Sequence, residues 1–234
     1  MTDLVVAKFG GTSVADFDAM NRSIDVALLD ANTRIVVLSA SAGVTNILVA
    51  LAGGLEPTER FSQLDALRQI QFNILERLRY PNVIREEIER LLENITTLAE
   101  AAALASSTAL TDELVSHGEL MSTLLFVEIL RERGIQAQWF DARKVLRTND
   151  RFGRAEPDIA AVAELTQQQL AELVHVSSRT IISLEKGQYN PSLLLAYRMA
   201  LVFGTTIEEL YCLAENKELE DRQAEAWREG DAIA

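Results

Sequence analysis

The sequence predicts an α/β region followed by a small all-α unit, on three observations. Two strand–loop–helix units open the chain: Leu4–Phe9 leads into Gly10-Gly11, and Ile35–Leu38 leads into Ser39–Gly43. Helical periodicity then takes over, with Leu64, Leu67, Ile70, Ile74 and Leu78 at three- and four-residue steps. After Leu165 the pattern changes again, to two short helices joined by the three-residue turn His175–Ser177.

In the first unit, "LVVAKFGGTSV" runs from an apolar strand to a glycine turn. Gly10 and Gly11 permit backbone conformations that a side chain forbids, and Thr12 and Ser13 suit a helix start. Free N–H groups and a helix N-terminus beside Lys8 form an anion cradle. A Gly-Gly turn alone is also compatible with a plain connection. Lys8 adds to the signal, because an unpaired ammonium is costly to bury and should face a cleft or a counter-ion. The second unit, "RIVVLSASAGVTNILVAL", repeats the order. Two such units predict a parallel sheet with sites at the strands' C-terminal ends. Pro81 breaks the first long helix, and Ile84, Ile88, Leu91, Leu92 and Ile95 mark the next. Another runs from about Thr111 to Arg133, stopped by Gly134, and "IQAQWFDARKVLRTND" reads as a strand and an exit loop.

Composition sets outer limits. The 234 residues carry 22 Lys+Arg against 35 Asp+Glu, a net charge of −13, which argues against broad, charge-driven nucleic-acid binding. From Leu165 to Tyr211 the balance is only −1 (3 against 4), so a DNA surface there needs local placement of a few groups. No apolar run approaches the roughly 20 residues of a membrane span, and Met-Thr-Asp-Leu lacks a signal peptide's order. A cytoplasmic protein without membrane attachment is expected. The lone Cys212 cannot form an internal disulfide and reads as a small apolar residue rather than a nucleophile. No metal site is read.

The stretches "KFGGTSV", "LSASAGVTN", "LTDELVSHGELMSTLLF" and "QWFDARKVLRTNDRFGRAEPDIA" resemble the N-terminal part of bacterial aspartokinases of the lysine-sensitive type, in the amino-acid kinase family. The resemblance covers about residues 1–165. It implies a truncated αβα sandwich with a helical insertion, and MgATP-dependent phosphorylation of the aspartate side chain. It implies Lys8 as a catalytic lysine and Phe9, Gly10, Gly11, Thr12 and Ser13 as the nucleotide- and phosphate-contacting segment. It implies Ser39, Thr45 and Glu119 as substrate contacts, with Glu119 meeting the substrate ammonium. On its own Glu119 reads as a solvated helix carboxylate. The family's "GRGGSD"-type segment, second catalytic carboxylate and base pocket are not found after Gly153. The resemblance therefore implies an inactive catalytic region with missing central strands, an exposed sheet edge and no certain cofactor beyond MgATP if activity persists.

In the last part, Thr166 and Ser177 are read as N-caps, and Ala171 is small where two helices would cross. Leu165, Leu170, Leu173, Ile181, Leu184 and Phe203 are expected to close one core. Leu193, Leu194, Ala196, Met199, Ala200 and Phe203 supply the apolar face of the following helix, which Gly204 ends. Ser178, Arg179, Thr180 and Ser183 lie where a recognition helix meets base edges, while Gln167, Tyr189 and Asn190 can reach phosphates. A plain helical bundle with polar caps fits the spacing equally. The segment resembles Xre (Cro/phage-repressor-like) DNA-binding domains over about Thr166–Leu213. His175 stands where a turn glycine is frequent, and "PDIAAVAE" stands in place of the first helix, with Ile159 and Val162 expected to pack against Leu170.

The expected domains are therefore residues 1–164, 165–213 and an acidic tail, 214–234, in which Trp227 is one candidate dimer contact. The expected function is sequence-specific binding of double-stranded DNA, as a homodimer, on an incomplete kinase region. The alternative is an aspartate kinase, with L-aspartate and ATP as partners.

Overall fold

A computed structural model describes residues 5–211 and Leu213. Leu4, Cys212 and the tail with Trp227 lie outside the described residues. The described residues form two compact units, one built on residues 5–143 and 148–158, the other on 144–147 and 159–211.

In the first unit, β1 (Val5–Phe9) and β2 (Thr33–Leu38) pair in parallel, with Val6 opposite Ile35 and Lys8 opposite Val37. Helix α1 (Phe17–Ala27) makes the crossover, and the Asp16 side chain caps it by accepting from the Ala19 N–H at 2.7 Å. Helices α2 (Val44–Ala52), α3 (Pro57–Leu75), α4 (Arg85–Leu104) and α5 (Thr108–Glu132) come next along the chain. The expected break at Pro81 is a 3-10 turn, Pro81–Val83. Just before it, the Glu132 carboxylate accepts the backbone N–H groups of Arg79 and Tyr80 at 2.9 and 2.7 Å.

The core matches the helical periodicity. Leu67, Ile74, Ile88, Leu91, Leu92 and Ile95 are buried against Met20, Leu48, Leu114, Met121 and Phe126. Phe9, Val36 and Leu38 pack on this core, with the Phe9 and Phe126 rings 6.5 Å apart. The other sheet face is bare: Val6, Ile35 and Val37 are 52%, 49% and 45% exposed. A parallel sheet ordinarily has helices on both faces, so the α/β unit carries one layer of a sandwich and an uncovered apolar sheet face.

The expected strand near Ile135–Trp139 does not form. A strand needs a partner for its backbone groups, and β1 and β2 are the strands among the described residues. Ile135 and Trp139 instead pack irregularly against the core, where the Trp139 indole N–H donates to Thr123 Oγ1 at 2.9 Å. Residues 148–158 form a tight loop closed by a bridge between Thr148 and Pro157.

The second unit contains α6 (Ile159–Leu173), α7 (Ser178–Glu185), α8 (Leu193–Phe203) and α9 (Ile207–Leu210). Thr166 is not an N-cap. It sits inside α6, its hydroxyl donating to the Val162 carbonyl at 2.8 Å. The preceding Ala-Ala-Val-Ala-Glu are acceptable or good helix formers, so nothing interrupts the ladder. Because the helix is continuous, Ile159 and Val162 cannot fold onto Leu170, and Ile159 is 72% exposed. The core of this unit is Ala171, Val174, Ile181 and Leu195, with Leu170, Leu184 and Met199 packed on it. Leu165 is half-buried, whereas Leu173, Leu193, Leu194 and Phe203, expected inside, are exposed. Among the described residues no helix is long and apolar enough to cross a membrane.

The bare sheet face generates a prediction. Replacing Val6, Ile35 and Val37 together by Thr keeps β-branched residues in the strands. Binding of a hydrophobic dye should fall at least twofold while unfolding free energy stays within about 1 kcal/mol. Phe126→Ala, on the covered face, should lower that free energy by about 3–5 kcal/mol in denaturant titrations.

Candidate ligand loop and helix-turn-helix surface

Three backbone segments converge at Ala40. A Cβ placed on Gly11 would lie 2.8 Å from the Ala40 carbonyl oxygen, so only glycine lets the loop after β1 approach the loop after β2 this closely. A Cβ on Gly118 of α5 would meet the Ala40 Cβ at 2.8 Å and Leu48 and Val44 at 3.2 Å. The Ala40 N–H donates to Glu119 Oε1 at 3.3 Å. The next residue, Ser41, is buried, with no partner for its hydroxyl.

This convergence gathers residues distant in sequence. Lys8 Nζ donates to Ser39 Oγ at 3.2 Å, while the Ser39 N–H extends the ladder to the Phe9 carbonyl. Ser122 Oγ lies 2.9 Å from the Ser39 carbonyl and 3.1 Å from that of Glu119. Lys8, Ser39 and Glu119 are therefore held around one loop, an ammonium and a carboxylate on either side of two adjacent residues. Thr45 is exposed in the first turn of α2, which Gly43 begins with φ at 84°. Thr12 and Ser13 line an open depression of about 300 Å³ with Phe9, Arg22 and Ser23. Gly10, extended, joins β1 to the 3-10 turn Gly11–Val14. The sequence reading missed Gly118, Ser122 and Ser41. Their signal is small residues around Glu119 facing the small-residue loop.

In the second unit, α6 ends in a left-handed residue, His175, with φ at 59°. The Val176 N–H bonds to the Ala171 carbonyl at 2.9 Å and the His175 N–H to that of Glu172 at 3.2 Å. This closes the helix as a glycine would, with some strain from the imidazole-bearing Cβ. Ser177 then caps α7 by accepting from the Thr180 N–H at 3.3 Å. Arg179 is exposed and Ser178, Thr180 and Ser183 are half-buried. Lys186, also exposed, falls seven residues after Arg179, on the same side two turns on. The sequence reading missed it too. Tyr189 and Asn190 are exposed beyond α7, and Gln167 Nε2 donates to Glu185 Oε2 at 2.7 Å.

Different known proteins are similar to different segments of the chain. The amino acid kinase family profile matches residues 3–191. Lysine-sensitive aspartokinase 3 of Escherichia coli is 82% identical over 170 residues, 73% of this chain and 38% of the relative. The crystal structure of Escherichia coli aspartokinase III with aspartate and ADP superposes with a TM-score of 0.71 over 73% of this chain and 38% of that one. The chain thus spans about two fifths of the aspartokinase it matches. An uncharacterized HTH-type transcriptional regulator of Archaeoglobus fulgidus is 45% identical over 65 residues, 28% of this chain and 92% of the relative.

The Ala40 contact makes Gly11 a sensitive position. Gly11→Ala should lower unfolding free energy by about 2 kcal/mol, since backbone rather than a side-chain tip must move. Gly10→Ala, which meets no heavy atom within 4 Å, should change it far less in the same denaturant titration.

Proposed function

This chain belongs to the amino acid kinase family, and we propose that its principal activity is nevertheless recognition of double-stranded DNA by the α6–α7 pair. The observation that carries this is α7 itself. It comes after a tight left-handed turn, is capped by Ser177, and carries exposed Arg179 in its first turn, with exposed Lys186 just past its last residue. Such a second helix fits the major groove with its first residues at base edges. Arg179 makes paired hydrogen bonds to a guanine, with Ser178, Thr180 and Ser183 beside it. Lys186, Tyr189 and Asn190 meet phosphates, as does Gln167 once its amide leaves Glu185. The similarity to an HTH-type regulator across most of that protein's length supports the same reading. The reading entails a cytoplasmic location and two copies on two half-sites.

A second reading concerns the loop at Ala40, which the Lys8–Ser39 and Glu119–Ala40 hydrogen bonds favour. An ammonium and a carboxylate bonded to adjacent residues of one loop suit a small zwitterion, and the aspartokinase similar to this segment was solved with aspartate and ADP. We propose that the loop retains weak L-aspartate or MgATP binding without turnover. Phosphoryl transfer relies on positioning and charge stabilisation by several groups together, and loss of part of such a set is grossly non-additive.

Two outcomes are expected. Selection from a random duplex pool should enrich a motif. Arg179→Ala should weaken binding to it by about 1–3 kcal/mol and relax one base pair. Lys186→Ala should weaken all sequences alike and reduce the salt slope by about 1. A folded protein that enriches no motif contradicts the DNA reading. Separately, aspartyl phosphate formation should stay at background in coupled assays; turnover abolished by Lys8→Ala would show an intact kinase.

A further inference from the structure

The outer face of the sheet in the first unit is patterned for burial and has no cover. On it Val6 stands opposite Ile35 and Lys8 opposite Val37, and all four are exposed. Three β-branched side chains and one ammonium thus share a patch two residue pairs long. Such β-branched pairs suit a parallel sheet buried on both faces. The outer edges of the sheet also offer backbone groups for pairing, since β1 and β2 are the strands among the described residues.

Two observations select the occupant. The first is charge. Covering this face desolvates the Lys8 ammonium, whose Ser39 hydroxyl partner carries no charge. The occupant must therefore bring an apolar surface with an acidic group opposite Lys8. A second copy laid face to face by a two-fold axis brings the same patch, hence a second Lys8 instead of an acid. The second observation is length. About three fifths of the matched aspartokinase lies outside the stretch it shares with this chain. That stretch keeps the backbone arrangement it has in the larger enzyme, so the face is preformed. We propose that the bare sheet face is a docking surface for the complementary part of a homologous amino acid kinase chain. That part adds a strand at a sheet edge and lays an apolar layer with one acid over Val6, Lys8, Ile35 and Val37. The proposal rests on family membership. It does not depend on whether α7 reads DNA, or on whether the loop at Ala40 binds a ligand alone.

Co-purification tests this. The part of the Escherichia coli aspartokinase outside the matched stretch is tagged and co-expressed with the full chain. Affinity capture of the tag should recover the full chain in near-equal amount. V37E should lower that recovery at least tenfold. The triple replacement of Val6, Ile35 and Val37 by Thr, which keeps β-branched side chains in the strands, should lower it at least threefold. L193E, on an exposed position of the second unit, should leave it unchanged. In the complex, amide hydrogen exchange across Val5–Phe9 and Thr33–Leu38 should slow at least tenfold relative to the chain alone. No recovery of the full chain would overturn the proposal. So would equal recovery of wild type, V37E and the triple variant, or loss with L193E. Sedimentation showing that the chain alone is a dimer, and that V37E makes it a monomer, would assign the face to a second copy and overturn it as well.

Discussion

The close approach of three backbones at Ala40 is the constraint on which the first unit depends. Two glycines from different elements, Gly11 and Gly118, remove the Cβ atoms that would hold the loops and α5 apart. The consequence is chemical as well as steric. With α5 this close, Glu119 reaches the Ala40 N–H, and Ser122 reaches the Ser39 carbonyl. Lys8, on the outer face of β1, then meets the Ser39 hydroxyl. An ammonium and a carboxylate are positioned by packing that neither residue supplies.

The same unit shows how a partial sandwich holds together. Helices α2 to α5 bury enough aliphatic side chains among themselves that the sheet contributes only one face to the core. Val6, Ile35 and Val37 stay half-exposed, as β-branched residues built for a covered parallel sheet. Stability therefore resides mainly in helix–helix packing, and the strands serve to place Lys8 and the loop that carries Ser39.

Much of this is legible in the sequence, and the failures have physical causes. The glycine turn, the two parallel strands and the breaks at Pro81 and Gly134 depend on local chemistry, which a sequence displays directly. The contact of Glu119 with the Ala40 N–H is not legible locally, because no pattern in α5 tells a carboxylate held against a loop from a solvated one. Thr166 misleads because a capping residue starts a helix only when its predecessors cannot be helical, and Ala160 to Glu164 can be. The segment Ile135–Trp139 alternates like a strand, but alternation does not provide a partner. Leu193 and Phe203 suggest a core because apolar periodicity marks a face without saying what covers it. Lys186 escapes because base-edge contacts concentrate in the first turn of such a helix, although its seven-residue distance from Arg179 is plain in the sequence.

On the proposed reading, duplex DNA meets α7, while the loop around Ala40 has separate chemistry. Backbone amide chemical shifts of the full chain, titrated with duplex DNA at low salt, test this directly. The largest changes are expected across Ser178 to Lys186 and in the Tyr189–Asn190 turn, with Lys8 to Ser13 and Ser39 to Thr45 unmoved. Changes centred on those two loops, or none in α7 at saturating DNA, would contradict it.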